Sequence, residues 1–218
     1  MRRLLSFLLC ASCAAAATAQ RPTVYGDDER KSAAAVAGEA LQTFGRLVNE
    51  RNYAELGFVS PDEPRSATLG EPIQEFMIRL DRLREYGSGQ DTAGILTATD
   101  RLTYPVLVGE ETRSSLTVGG GERGWAALSF GAPKYSRLLT EVRDRLSREE
   151  KRPAADYFEV RVPALNVSFV ARQAGQSLAL TPILDDPRFG FVRGQTLPAE
   201  RALAAMQQAA REHNGLPT

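Results

Sequence analysis

Apolar residues recur along this chain in two rhythms, and the rhythm changes near residue 100. From about Asp28 to Tyr53 they fall at three- and four-residue steps, so Val36, Ala40, Leu41, Phe44, Leu47 and Val48 share one face of a predicted helix. Ser60-Pro61-Asp62-Glu63 then predicts a second helix start: serine caps, proline fits the first helical position and Glu63 reaches back. Leu69-Gly70 reads as its end. Over 73–80, Phe76, Ile78 and Leu80 alternate with Glu75, Met77 and Arg79, which predicts a strand, although Ile73, Phe76, Met77, Leu80 and Leu83 also fit helical spacing. Asp91 is placed to cap a short helix through Thr97.

Beyond residue 100 the β-formers dominate. Leu102–Val108 and Ser114–Val118 predict a hairpin, Gly119-Gly120-Gly121 breaks the chain, and Trp125–Phe130 predicts a third strand. Pro133–Leu146 returns to helical spacing at Leu138, Leu139, Val142 and Leu146. Strands follow over Tyr157–Val162, Asn166–Ala171 and Leu178–Leu184, then a turn at Asp185-Asp186-Pro187, a short strand over Phe189–Val192 and a helix over Pro198–Ala210. The expected fold is α+β, a mixed, mostly antiparallel sheet with helices packed on one face. Residues 20–218 form one domain, with a helical N-terminal portion (20–100) and a sheet-rich portion (101–213).

The two halves of the sheet-rich portion invite comparison. Tyr104-Pro105-Val106-Leu107 aligns with Val162-Pro163-Ala164-Leu165, and Leu116-Thr117 with Leu180-Thr181. Trp125 aligns with Phe189, and the helix from Lys134 with that from Pro198. One reading is a degenerate repeat of strand-strand-strand-helix units sharing one sheet; chance similarity is the other.

The first nineteen residues change the picture of compartment. Arg2-Arg3, an apolar run from Leu4 to Ala17 and the small residues of Ala17-Thr18-Ala19 form a signal peptide over 1–19. That run is shorter than the ~20 apolar residues a membrane span needs, so no transmembrane anchor is expected. Both cysteines, Cys10 and Cys13, fall within it, which leaves residues 20–218 without a disulfide framework. Ala11-Ser12-Cys13 carries the competing reading, a lipid anchor at Cys13, but Cys10 stands where such signals favour leucine. The composition, rich in alanine and with lysine only at Lys31, Lys134 and Lys151, looks like that of a high-GC bacterium. Periplasmic or secreted bacterial localisation is therefore expected. The whole chain balances 27 basic against 27 acidic groups, so no charge excess points to nucleic acid.

Candidate chemistry is sparse. The single histidine, His213, lies in the tail, where it reads as a frayed helix-end residue rather than a triad base. Gly119-Gly120-Gly121 lacks the lysine of a phosphate loop. The run from Arg143 to Arg152 mixes signs and reads as a solvated helix end and linker. No catalytic, cofactor-binding or metal-binding residue is assigned, and no cofactor is expected. Four residues are candidates for a ligand or partner surface: Trp125, Tyr104, Asp185 and Asp186. The acidic pair follows a predicted strand, where Asp-Asp-Pro reads first as turn chemistry, with a cation or acid-base site as the alternative.

Three functions remain in view: a non-catalytic envelope protein binding a partner protein or peptide along a sheet edge, a small-molecule binder lined by Phe76, Tyr104, Trp125 and Tyr157, and a carboxylate-dependent hydrolase.

Overall fold

The computed structural model describes residues 25–215. The signal peptide expected over 1–19, and Cys13 with its lipidation reading, lie outside the described residues. In chain order the elements are α1 (Asp27–Leu47), β1 (Thr68–Leu69), β2 (Ile73–Ile78), α2 (Leu80–Glu85), β3 (Leu96–Val108), β4 (Glu111–Gly119), β5 (Ala126–Gly131), α3 (Pro133–Glu150), β6 (Phe158–Val162), β7 (Val167–Ala174), β8 (Ser177–Pro182), β9 (Leu197–Pro198) and α4 (Ala199–Glu212).

Helix α1 starts where Asp27, Asp28 and Glu29 place negative charge on the positive helix end, and the Gly26 N–H donates to Glu29 Oε2 at 2.9 Å. It stops at Leu47, earlier than the sequence suggested, because two asparagine side chains close it. Asn52 Oδ1 accepts from the Asn49 N–H, and Asn49 Nδ2 and Asn52 Nδ2 both donate to the Leu47 carbonyl. Its buried stripe is Ala33, Ala37, Ala40 and Phe44. The small side chains bring the helix close to the sheet, while Leu47, expected inside, is 52% exposed.

The second helix expected from Ser60 does not form. Glu63 accepts from the Val59 N–H at 2.5 Å and from Arg113 Nε at 2.8 Å, leaving a 3-10 turn over Glu63–Ser66. Thr68 and Leu69 are drawn out as β1, paired with Leu107 and Val106 of β3. Nor is there a helix after Asp91; its carboxylate accepts from the Ala93 N–H in a turn before β3. The expected strand over Phe189–Val192 is reduced to one bridge, Asp186 to Phe191.

All nine strands join one sheet in the order β5-β4-β3-β2-β6-β7-β8-β9, with β1 also on β3. Every pairing is antiparallel except the central one, where β2 runs parallel to β6 with Phe76 beside Val160. From that junction each half unfolds outward in chain order: β2 to β5 followed by α3, and β6 to β9 followed by α4. The units therefore have four strands, not three. The alignment of Leu116-Thr117 with Leu180-Thr181 joins equivalent strands, β4 and β8. That of Tyr104–Leu107 with Val162–Leu165 does not, since it places β3 on the end of β6.

The parallel junction also decides where the helices lie. A half-turn about an axis between β2 and β6 preserves their direction but exchanges the sheet's two faces. On the back face α1 covers Leu102, Tyr104, Val106, Leu116 and Val118, and α4 covers Phe76, Val160, Phe169 and Leu180. Helix α3 packs on the front, where Leu139, Val142 and Leu146 meet Ile73, Val170 and Ile183. Helices on one face is thus correct for α1 and α4 and incorrect for α3. Each fully buried leucine or phenylalanine in these layers contributes about 2–3 kcal/mol. The front helix also removes Arg143 from solvent, against expectation; its guanidinium donates to the Glu71 carbonyl at 2.8 Å and to Asp144 at 2.8 Å.

Candidate functional site: a groove across the front face

Helix α3 leaves part of the front face open. Where strand alternation points side chains forward from β2, β3 and β6, those side chains are charged. Glu75 of β2 and Glu159 of β6 are register partners. Arg161 is the next forward residue of β6, and Arg101 comes from β3. Glu75, Arg101 and Arg161, together with Met77, Leu128 and Trp125, line an open groove of about 1040 Å³. It continues into a cavity of about 460 Å³ that adds Thr103, Thr117, Tyr135 and Glu159. Thr103 and Thr117, paired across β3 and β4, share a hydrogen bond of 3.1 Å on that floor.

The first turn of α3 brings Tyr135 to one end, where its hydroxyl donates to Glu159. Arg161 Nη1 donates to Glu75 Oε2 at 3.3 Å, and its Nε lies 3.6 Å from Glu159 Oε1. Arg101 Nη1 stands 4.0 Å from Glu75 Oε1. Both carboxylates are buried, Glu159 at 2% exposure, whereas the arginine side chains remain 51% (Arg101) and 40% (Arg161) exposed. Burial pushes the Glu159 carboxyl up to about 7, and the Glu75 charge adds to this; the Tyr135 hydrogen bond and the Arg161 charge oppose it. Burial, with the adjoining Glu159 charge, raises the Tyr135 phenol far above its ordinary value. Tyr135 therefore keeps its proton and acts as the donor.

The four residues singled out from sequence do not converge. Tyr104 is buried in the back-face core under α1. Trp125 stands at the groove rim, half-buried, with the Tyr25 ring edge-on at 4.9 Å. Asp185 Oδ1 accepts from the Arg193 N–H at 2.7 Å. Asp186 grips Arg188 through Oδ1 to Nε at 2.9 Å and Oδ2 to Nη2 at 2.6 Å, and this hydrogen bonding holds its carboxyl below the ordinary range. The acidic pair thus organises the turn after β8, far along the sheet from Trp125. Phe76, Tyr104 and Tyr157 belong to three separate core clusters and enclose no common pocket.

His213 follows α4 directly; its carbonyl accepts from Arg84 and its Nδ1 from the Gly215 N–H. The glycine run has a packing role at its first residue. A Cβ on Gly119 would lie 2.5 Å from Leu128 Cδ1, so glycine lets Leu128 lie across the groove floor.

Glu75, Glu159, Arg101, Arg161 and Tyr135 were not singled out from sequence. Their signal was weak: in Phe158-Glu159-Val160-Arg161-Val162 charge alternates with apolar residues, the pattern of a strand with one solvated face. No protein-family model, no curated protein and no solved structure matches this chain.

Proposed function

We propose that this is a non-catalytic binding protein that takes an extended segment of a partner protein onto strand β5. The observation that carries this reading is the state of that edge. β5 closes one end of the sheet, and Ala126, Ala127, Leu128 and Ser129 are all exposed. Natural edge strands are blunted by charge, proline, brevity or a covering element. The opposite edge is blunted by brevity, since β9 has two residues and leads straight into α4. β5 has six residues, reads Ala-Ala-Leu-Ser-Phe-Gly and carries neither charge nor proline; its one protective device is a bulge at Leu128, where Thr117 pairs with Ser129 and Val118 with Ala127. An added strand gains main-chain hydrogen bonds there, with Leu128, 54% exposed, as an apolar contact. The basic, apolar and small-residue segments of residues 1–19 support a partner in the bacterial envelope or exterior.

The test is site-specific photo-crosslinking in cells. A photoreactive residue replaces Leu128 in one variant and Val192, 53% exposed on the turn before β9, in another. The expected result is capture through position 128 alone, mapped to an extended, weakly charged stretch of one partner. No capture at position 128, or equal capture of the same protein at both positions, would contradict the reading.

A further inference from the structure

We propose that the front-face groove binds an amphipathic organic anion, its carboxylate or phosphate held between Arg101 and Arg161 and its apolar part against Met77, Leu128 and Trp125. Arg101 carries the argument. Among the described residues its guanidinium makes no hydrogen bond, and its nearest carboxylate oxygen is 4.0 Å away. A guanidinium is a planar fork of donors matched to carboxylate and phosphate. Arg161 spends one nitrogen on Glu75 and faces the same groove. Leu128 and Trp125 lie toward β5, Met77 is the register partner of Arg161, and Asp100 and Glu122 border the glycine-rich end near Arg123. That arrangement sets the anionic head at the Glu75–Arg161 end and the apolar body toward Trp125.

The charge balance couples binding to a proton. With Glu159 ionised, two arginines face two carboxylates; with Glu159 protonated, the cluster is left with one positive charge for an anion to neutralise. The groups facing Glu159 are Tyr135 from α3, Glu75 from β2 and Arg161 on its own strand, with Arg101 of β3 beyond Glu75 and Ser168 of β7 near the Tyr135 hydroxyl. A bound anion draws Arg161 outward and disfavours a charge on Glu159, so association takes up a proton and tightens as pH falls. This site shares Leu128 with the β5 reading, but its anion-binding Arg101 lies two strands in from that edge, so Arg101→Met tests the groove without altering β5.

The probes are benzoate, phenyl phosphate and benzylamine, followed by Trp125 fluorescence and backbone chemical shifts. Both anions are expected to shift groove resonances and the amine to leave them unmoved; the stronger anion identifies the headgroup. Benzoate, whose charge is constant across this range, should bind roughly tenfold more tightly at pH 6 than at pH 8. Arg101→Met should weaken benzoate roughly tenfold or more without lowering the melting temperature, and Glu159→Gln should keep binding and lose its pH dependence. Equal binding of the amine, wild-type affinity in Arg101→Met, a pH dependence that persists in Glu159→Gln, or no anion-induced shift in the groove would overturn the proposal.

Discussion

At the scale of single residues, Glu159 is the most consequential side chain in the chain. A carboxyl with 2% exposure sits beside a second carboxylate, and the ordinary outcome of such burial is retention of a proton. The folded chain holds that proton up to about pH 7, whereas the unfolded chain releases it near its ordinary value of 4.5. Folding is therefore favoured on the acid side, and this contribution is lost as pH rises from 4.5 to 7. The difference in proton affinity is worth about 3 kcal/mol. Asp186, whose carboxyl is held low by Arg188, acts in the opposite sense, but only below about pH 4. Urea denaturation at pH 5 and pH 8 should show the wild type losing about 2–3 kcal/mol at the higher pH, and Glu159→Gln losing much less. Equal slopes in the two proteins would show that Glu159 is ionised throughout. Nothing in the sequence distinguished Glu159 from a solvated strand residue, because its burial comes from Tyr135, which α3 delivers from 24 positions away.

At the scale of elements, local pattern was a good guide where one element could be decided by its own residues. The hairpin of β3 and β4, the strand over β6 and the helices α3 and α4 follow from local periodicity and composition. The expectations that failed are those decided by a distant partner. The capping signal at Ser60 lost to Arg113 and β3, and the apolar stripe of α1 rotated so that Ala33 and Ala37 are fully buried, Val36 and Leu41 only partly so, and Leu47 is exposed. Helix α4 shows the same dependence. It ends in His213 without a glycine cap, and its last carbonyls are satisfied from α2. Arg84 Nε donates to the Ala210 carbonyl at 2.7 Å and Nη2 to that of His213. Replacing Arg84 with methionine should cost about 1–2 kcal/mol and speed amide exchange in the final turn of α4, with exchange in α1 unchanged. An unaltered final turn would mean that water serves those carbonyls equally well.

At the scale of the whole molecule, the parallel pairing of β2 with β6 organises everything else. It joins two four-stranded units, turns one over relative to the other and sends α3 to the face opposite α4. The core is continuous across the join, since Phe76 and Phe158 meet edge-on at 5.0 Å and Ile73 packs with Val170 and Ile183. The α+β class and most strands were legible from sequence, but the order of strands was not, because pairing is decided by contacts that no local window contains. The groove followed the same course: its residues come from β2, β3, β4, β5, β6 and α3, and only the topology brings them together. The same topology places β5 at an edge with no strand beyond it among the described residues, and the proposed function rests on that edge. The most direct measurement is amide hydrogen exchange across Ala126–Phe130, alone and with a synthetic copy of the captured partner segment. The outward amides of β5 should exchange rapidly in the free protein and slow by roughly tenfold or more on addition of the segment, with little change in β8. Binding of the segment with β5 exchange unaltered would contradict the added strand.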